Sequence, residues 1–319
     1  MSTIFSDFSL DKIKFRRTKL SPLARREAWW GVFFLSPWII GFLVWYLLPM
    51  IASLIFSFTT FNLVHPEDIE WIGLANYAQF FRDPVVLQSV GVSLRFALLA
   101  VPIAIIQPVL MAAMLNDKRL WAKRFFTTLF YMPFIVPLVS AVYIWRGVMN
   151  DQTGWINMFL KWLGITPPDW LNSPVWIYPA LIIIGLWATG NALIFTLTAM
   201  QGIPTELYDA ARVDGAGRFA TFIHITLPMI TPIIFYNLIL TVIGIVQYFL
   251  IPFVLKGGTG EPGNTTRFYA MQLFKEAFAY SNMGYGATMA WLLFVFTLGV
   301  TAFLFATAKY WVFYAGGED

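Results

Sequence analysis

Six long apolar runs decide what this chain can fold into. They cover residues 30–58, 92–115, 125–147, 175–200, 229–255 and 287–314. A bilayer core about 30 Å thick needs roughly 20 apolar residues to cross it as a helix, and each run is long enough. None alternates strictly as a barrel strand does. Lipid offers no hydrogen-bond partner to an open strand edge, so helices are the remaining spanning structure. The first run has length to spare and can tilt or include an interfacial turn near Pro49. The expected fold class is therefore an all-α integral membrane protein with six transmembrane helices. Composition agrees. Of 319 residues, 59% are hydrophobic and only 12% charged, against about 25% charged in soluble domains.

The basic residues orient these helices. Seven precede the first run: Lys12, Lys14, Arg16, Arg17, Lys19, Arg25 and Arg26. The loop after the second run adds Lys118, Arg119, Lys123 and Arg124, the loop after the fourth adds Arg212 and Arg218, and Lys309 flanks the last. Fourteen thus fall on one side, against six on the other: Arg82, Arg146, Lys161, Lys256, Arg267 and Lys275. The positive-inside rule puts both termini in the cytoplasm. The expected organisation is a basic cytoplasmic segment 1–28, a transmembrane domain 29–314 and a cytoplasmic tail 315–319. The basic N-terminus reads as a membrane-flanking segment rather than a nucleic-acid tail. It is too long and too charged for the start of a cleavable signal peptide.

The residue inventory excludes several chemistries. Cysteine is absent, and the two histidines, His65 and His224, are far apart. Thiolate chemistry is excluded, and a His-rich metal site or a hydrolase triad is not expected. All seventeen Asp and Glu lie in loops or tails, whereas proton- or sodium-coupled carriers usually hold a titratable group within a span. Residues 258–263 carry the two glycines of a P-loop frame, but Asn264 stands where the lysine must be. No nucleotide site, metal site or catalytic motif is expected in this chain. The spans instead carry neutral hydrogen-bonding and aromatic groups: Gln107, Trp187, Asn191, Tyr236, Asn237, Gln247 and Tyr248. These suit a polyhydroxylated solute, and they equally suit helix-to-helix hydrogen bonding.

Between the fourth and fifth runs, the expected cytoplasmic loop 201–228 reads as helix, break, helix. Pro204 and Thr205 start the first helix, with Thr205 as its expected cap and acidic Glu206 in the first turn. Gly215 and Gly217 interrupt it, and a second short helix leads into Leu227-Pro228. Asp209-Ala210-Ala211, then Asp214-Gly215-Ala216, then Ile225-Thr226-Leu227-Pro228 resembles the EAA loop of ABC importer permeases. The family's first Glu is replaced by Asp209. Residues 71–77, Trp-Ile-Gly-Leu-Ala-Asn-Tyr, resemble the segment after the first span of MalF-type sugar permeases. The stretch from Gly257-Gly258 to Gly284-Tyr285-Gly286-Ala287 resembles their external segment before the last span.

This resemblance implies a type I ABC importer permease. The EAA loop would sit in a cleft on an ATP-binding subunit, with Glu206, Asp209, Ala210, Ala211, Asp214, Gly215, Ala216, Leu227 and Pro228 forming the coupling element. Implied partners are a second permease subunit, two ATP-binding subunits that hold the ATP and magnesium, an extracytoplasmic sugar-binding protein and membrane lipid. The implied location is a bacterial inner membrane. Alignment on Gln201–Pro204 places Asn191 at a sugar-contacting position of the family, and alignment on Gly257-Gly258 places Gln247, Gly244 and Ile243 at others. Gly244 and Ile243 depart from the family's Asn and Phe, which implies a different or bulkier sugar. Trp187 and Tyr248 are nearby stacking candidates. Acidic oligosaccharides such as alginate fragments are admissible, since no carboxylate in a span would repel them. A permease for another small solute such as glycerol phosphate, a secondary carrier and a membrane enzyme are the alternative readings.

Overall fold

The computed structural model describes residues 21–117 and 119–313. The expected N-terminal segment 1–28 therefore lies mostly outside the described residues, as do Lys118 and the tail 315–319. The chain divides into two compact units, one ending at Ser53 and one starting at Leu54.

Helix α1 runs Pro22–Phe56 with a π turn at Leu43–Leu47, and its residues up to Ser53 are the described part of the first unit. It starts earlier than the apolar run because Ser21 caps it: the Ser21 hydroxyl accepts the Ala24 N–H at 3.2 Å, and Pro22 follows at the first helical position. Its 35 residues reach roughly 50 Å at 1.5 Å per residue, well beyond the hydrocarbon thickness.

In the second unit, α2 (Ala75–Phe80) precedes α3 (Pro84–Asn116). Asp83 caps α3 by accepting the N–H groups of Val85 and Val86 at 2.9 and 3.2 Å. Helix α3 is the central element, and it stays continuous through Pro102 and Pro108.

The third and fourth apolar runs are not single helices. The third splits into α4 (Lys123–Tyr131), extended by a 3₁₀ turn to Ile135, and α5 (Leu138–Val148), bent by 105°. Val136 is held extended ahead of Pro137, as the steric demand of proline requires. After α6 (Trp155–Trp162), the fourth run splits into α7 (Ile177–Trp187) and α8 (Gly190–Gln201), bent by 57°. Four helices or helix stretches are long and apolar enough to cross a membrane, and six candidate spans result when each bent pair counts as one.

The remaining elements are α9 (Thr205–Val213), α10 (Arg218–Thr221), α11 (Leu227–Met229), α12 (Thr231–Val246), α13 (Leu250–Lys256), α14 (Tyr269–Phe274) and α15 (Met283–Ala308). Among the described residues the only β pairing is a single bridge between Thr59 and Trp71.

Packing is organised around the bends. One core joins Phe96, Val142, Leu181, Ile184 and Leu255, and a second joins Ala112, Leu115, Leu193, Met200 and Ile230. They lie on either side of the α7–α8 break. Gly190 opens α8 there, and a Cβ on it would stand 3.1 Å from both Tyr131 Cα and Phe134 Cβ. The two bent pairs therefore meet backbone to backbone. Leu98, Met114, Phe303 and many other large apolar side chains are exposed, a surface that suits lipid rather than water.

Candidate functional site

The hairpin at residues 201–228 forms as helix, break, helix. Helix α9 follows Pro204, whose extended ψ of 132° makes it the N-cap. Thr205 is the first helical residue and caps nothing, contrary to the sequence expectation. Glu206 still complements the helix dipole from the first turn.

The break is a Schellman turn. Gly215 adopts φ +76°, its N–H donates to Arg212 O at 3.1 Å, and the Ala216 N–H donates to Ala211 O at 2.9 Å. This geometry accounts for the small residues of the motif: Ala211 is buried under the turn, and Gly215 supplies the left-handed backbone. Gly217, at φ −70° and ψ 166°, only leads into α10.

Asp209 is exposed and ion-paired with Arg212 one turn along the same helix. The Tyr208 hydroxyl meets Thr226 Oγ1 at 3.1 Å and closes the hairpin. Arg218 lies 3.7 Å from Asp117 at the end of α3, an exposed pair worth about 0–1 kcal/mol. Leu227 and Pro228 are half-buried where the fifth span begins, and the Pro228 carbonyl accepts the Thr231 hydroxyl at 2.7 Å. Val213 and Phe219 protrude at 87% and 79% exposure. His224 Nδ1 lies 2.9 Å from Ala220 O, one turn back along the same helical stretch.

A second site lies between α3, α7 and α12. A cavity of about 270 Å³ is lined by Phe96, Gly185, Thr189, Thr241, Gly244 and Tyr248, among others. Of the six predicted sugar-contacting residues, Gly244 and Tyr248 open onto it. A Cβ on Gly244 would meet nothing within 4 Å, so this glycine leaves real space. The Tyr248 ring stacks on Phe96 at 4.9 Å and meets Phe268 edge-on at 5.1 Å. Its hydroxyl is buried without a hydrogen-bond partner among the described residues, which marks a group waiting for one.

Asn191, Gln247, Ile243 and Trp187 do not line this cavity. Asn191 sits in the first turn of α8, Gln247 in the break between α12 and α13, and Trp187 packs edge-on against Trp145 at 6.0 Å. Two other polar span residues are helix-bonding groups. Gln107 Nε2 donates to Leu186 O at 3.3 Å and its Oε1 accepts the Thr189 hydroxyl at 2.8 Å, tying α3 to the α7–α8 break. Asn237 donates to Thr196 at 3.2 Å.

Sequence reasoning missed Thr189 and Thr241. Thr189-Gly190 within an apolar run carried the signal, since small polar pairs mark breaks. It also missed Arg95, which lies inside α3, is exposed, and donates from Nε to Gly91 O at 3.1 Å.

The motifs at residues 71–77 and 257–287 are structural. The buried Asn76 amide donates to Ser57 O and Thr59 O at 3.1 and 2.9 Å, and the Tyr77 hydroxyl meets Ser57 Oγ at 2.9 Å. Gly284 lets the start of α15 lie directly against this turn: its N–H donates to Phe61 O at 2.8 Å, and a Cβ would fall 2.3 Å from Thr59 O.

Residues 96–310 match the family described as "Binding-protein-dependent transport system inner membrane component". The probable ABC transporter permease protein YesP of Bacillus subtilis is 36% identical over 304 residues, covering 94% of this chain and 97% of that protein. The lactose transport system permease protein LacF of Rhizobium radiobacter is 31% identical, covering 86% of this chain and 92% of that protein. In fold, the chain is similar to the crystal structure of a bacterial alginate ABC transporter in complex with an alginate pentasaccharide-bound periplasmic protein. The TM-score is 0.76 at 22% identity, covering 89% of this chain and 95% of that one. This chain belongs to the binding-protein-dependent ABC transporter permeases, multi-pass inner-membrane proteins that bind no cofactor and are not themselves catalysts.

Proposed function

We propose that the chain is the saccharide-conducting permease subunit of an ABC importer. It works beside a second permease subunit and two ATP-binding subunits, and an extracytoplasmic protein delivers the sugar. One observation carries this reading. The hairpin with the Schellman turn is joined through residues 202–204 to the end of α8, and the other end of α8 is the break beside Thr189 and the cavity. A push on α9 from an ATPase subunit thus has a stiff half-helix along which to reach the cavity. Glu206, Asp209, Ala210, Ala211, Asp214, Gly215, Ala216, Leu227 and Pro228 form the coupling element, and the exposed Val213 and Phe219 give it an apolar contact.

The sugar passes Gly244 and Tyr248, with Asn191, Gln247, Ile243 and Trp187 contributing when the helices rock. Named relatives that transport lactose and arabinooligosaccharides support a saccharide cargo. The charge asymmetry supports cytoplasmic termini and a cytoplasmic hairpin.

The test is saccharide uptake by cells expressing the intact transporter. Asp209→Lys should abolish uptake and co-purification with the ATPase subunits, while the chain still inserts in the membrane. Gly244→Trp should abolish uptake with the complex intact. Normal uptake in both variants would overturn the assignment.

A further inference from the structure

A cavity of about 680 Å³ opens where the hairpin meets the ends of α3 and α8 and the start of α4. One wall is the hairpin, from α9 to α10, and another is the short loop between the second and third apolar runs. By the charge asymmetry of the loops, this end of the molecule faces the cytoplasm.

Charge separates this cavity from an ordinary loop surface. Its lining carries four cations, Arg119, Lys123, Arg212 and Arg218, against two carboxylates, Asp117 and Asp209, for a net charge of +2. Both carboxylates are already engaged. Asp209 is paired with Arg212, Asp117 Oδ1 accepts the Arg119 backbone N–H at 2.9 Å, and Asp117 Oδ2 lies 3.7 Å from Arg218. The side chains of Arg119 and Lys123 have no hydrogen-bond or ion-pair partner among the described residues. The excess positive charge therefore rests on these two groups.

The helix that follows adds to the same field. Helix α4 begins at Lys123, and Ala122 before it provides no side-chain cap. The first N–H groups of α4 thus place partial positive charge beside the lysine.

The setting is the edge of the membrane. Residues 116–124 separate two apolar runs, so Arg119 and Lys123 lie where one span leaves the lipid and the next enters it. Met114, Trp121 and Phe125, which flank them in sequence, are exposed. An exposed tryptophan at a span end is a headgroup-level anchor. A concave cationic site bordered by exposed apolar side chains suits a molecule that is anionic at one end and apolar at the other. A guanidinium offers a phosphate two parallel N–H donors, and an ammonium beside it adds a point charge.

We propose that this cavity holds the phosphate headgroup of an anionic phospholipid of the cytoplasmic leaflet, gripped by Arg119 and Lys123. Arg212 and Arg218 line the same cavity from the hairpin. The headgroup therefore bridges the α3–α4 loop to the hairpin, and the lipid composition of the inner leaflet tunes the element on which an ATPase subunit pushes. This site is separate from the sugar path and holds whichever saccharide is carried.

The test places the full chain in nanodiscs with equal phosphatidylglycerol and phosphatidylcholine, and native mass spectrometry counts the lipids retained after release into detergent. Phosphatidylglycerol should be retained at least about tenfold over phosphatidylcholine, and rising salt should erode that preference. Combining Arg119→Gln with Lys123→Gln should cut retained phosphatidylglycerol by roughly fivefold or more. Combining Arg124→Gln with Lys309→Gln removes the same charge from the same side but outside the cavity, and should change retention by less than about twofold. In nanodiscs of phosphatidylcholine alone, both pairs should unfold no earlier than the unaltered chain, so that retention reads binding and not misfolding. Equal retention of the two lipids, or equal losses in the two pairs, would overturn the proposal. Inorganic phosphate separates the two sources of the anion. If phosphate added to phosphatidylcholine nanodiscs raises the unfolding midpoint as much as phosphatidylglycerol does, the ligand is the free ion and the lipid assignment fails. Loss of co-purifying ATPase subunits from the Arg119 and Lys123 pair, with retained phosphatidylglycerol unchanged, would make the cavity a protein socket and overturn the proposal equally.

Discussion

Gly215 holds φ +76° with two hydrogen bonds closing the turn around it. A β-branched side chain there costs roughly 1–2 kcal/mol and more where the turn cannot relax. Gly215→Val should therefore lower uptake by about tenfold or more, with normal amounts of chain in the membrane fraction. Gly217 has ordinary extended backbone and open space around its Cβ position. Gly217→Ala should keep uptake within about twofold, because it introduces no strain. Equal losses in the two variants would mean that backbone geometry is not what the hairpin needs. At Tyr248 the logic runs the other way. Its buried hydroxyl has no partner among the described residues, so Tyr248→Phe should leave the unfolding midpoint unchanged or raise it. If that hydroxyl meets the sugar, the same change should weaken apparent affinity by roughly three- to tenfold. Unchanged affinity would remove Tyr248 from the sugar path.

At the scale of elements, Gln107 serves the α7–α8 break and Asn237 ties α12 to α8. Gln107 supplies a donor to Leu186 O and an acceptor to Thr189 where α7 stops and α8 starts. Gln107→Leu should cost about 0.6–2 kcal/mol, read as a lower unfolding midpoint of the purified chain in detergent; no change would show that water already serves the break. Gly284→Ala drives a methyl to 2.3 Å from Thr59 O, and such overpacking typically costs about 1–3 kcal/mol. It should lower the same midpoint without altering sugar affinity. These breaks also mark the limit of what was legible beforehand. Hydropathy located every candidate span, four helices or helix stretches and two bent pairs, with ends up to eight residues off, because lipid imposes one composition on everything that crosses it. It could not show that residues 125–147 turn by 105° at Val136-Pro137, since an apolar run looks the same straight or bent. The hairpin was legible because its spacing of small residues and Gly215 follows from one turn geometry. The cavity was not: Thr189 and Tyr248 are brought together by α7 and α12, and no local spacing records that meeting.

For the whole molecule, the outstanding physical statement is which side each loop faces, since every proposal above depends on it. Fourteen basic residues against six is the sole argument so far, and the chain offers a direct way to check it. With no native cysteine in this chain, a single introduced thiol is the only one on the purified chain that a maleimide can have modified. Val213, at the hairpin, is 87% exposed, and Glu67, in the loop after the first span, has a side chain 67% exposed. Both substitutions to cysteine should therefore leave the fold intact. With a membrane-impermeant maleimide, Glu67→Cys should label in cells whose outer barrier is removed but whose inner membrane is sealed. Val213→Cys should label only after that membrane is opened. The reverse pattern would invert the molecule: the hairpin would face away from ATP, the cavity at Arg119 and Lys123 would face the outer leaflet, and both the coupling and the inner-leaflet lipid proposals would fall together. The expected pattern leaves one arrangement, in which Glu67 lies on the side from which the sugar comes and Gly215, Arg119 and Lys123 on the side where ATP is hydrolysed, with the α7–α8 break between them.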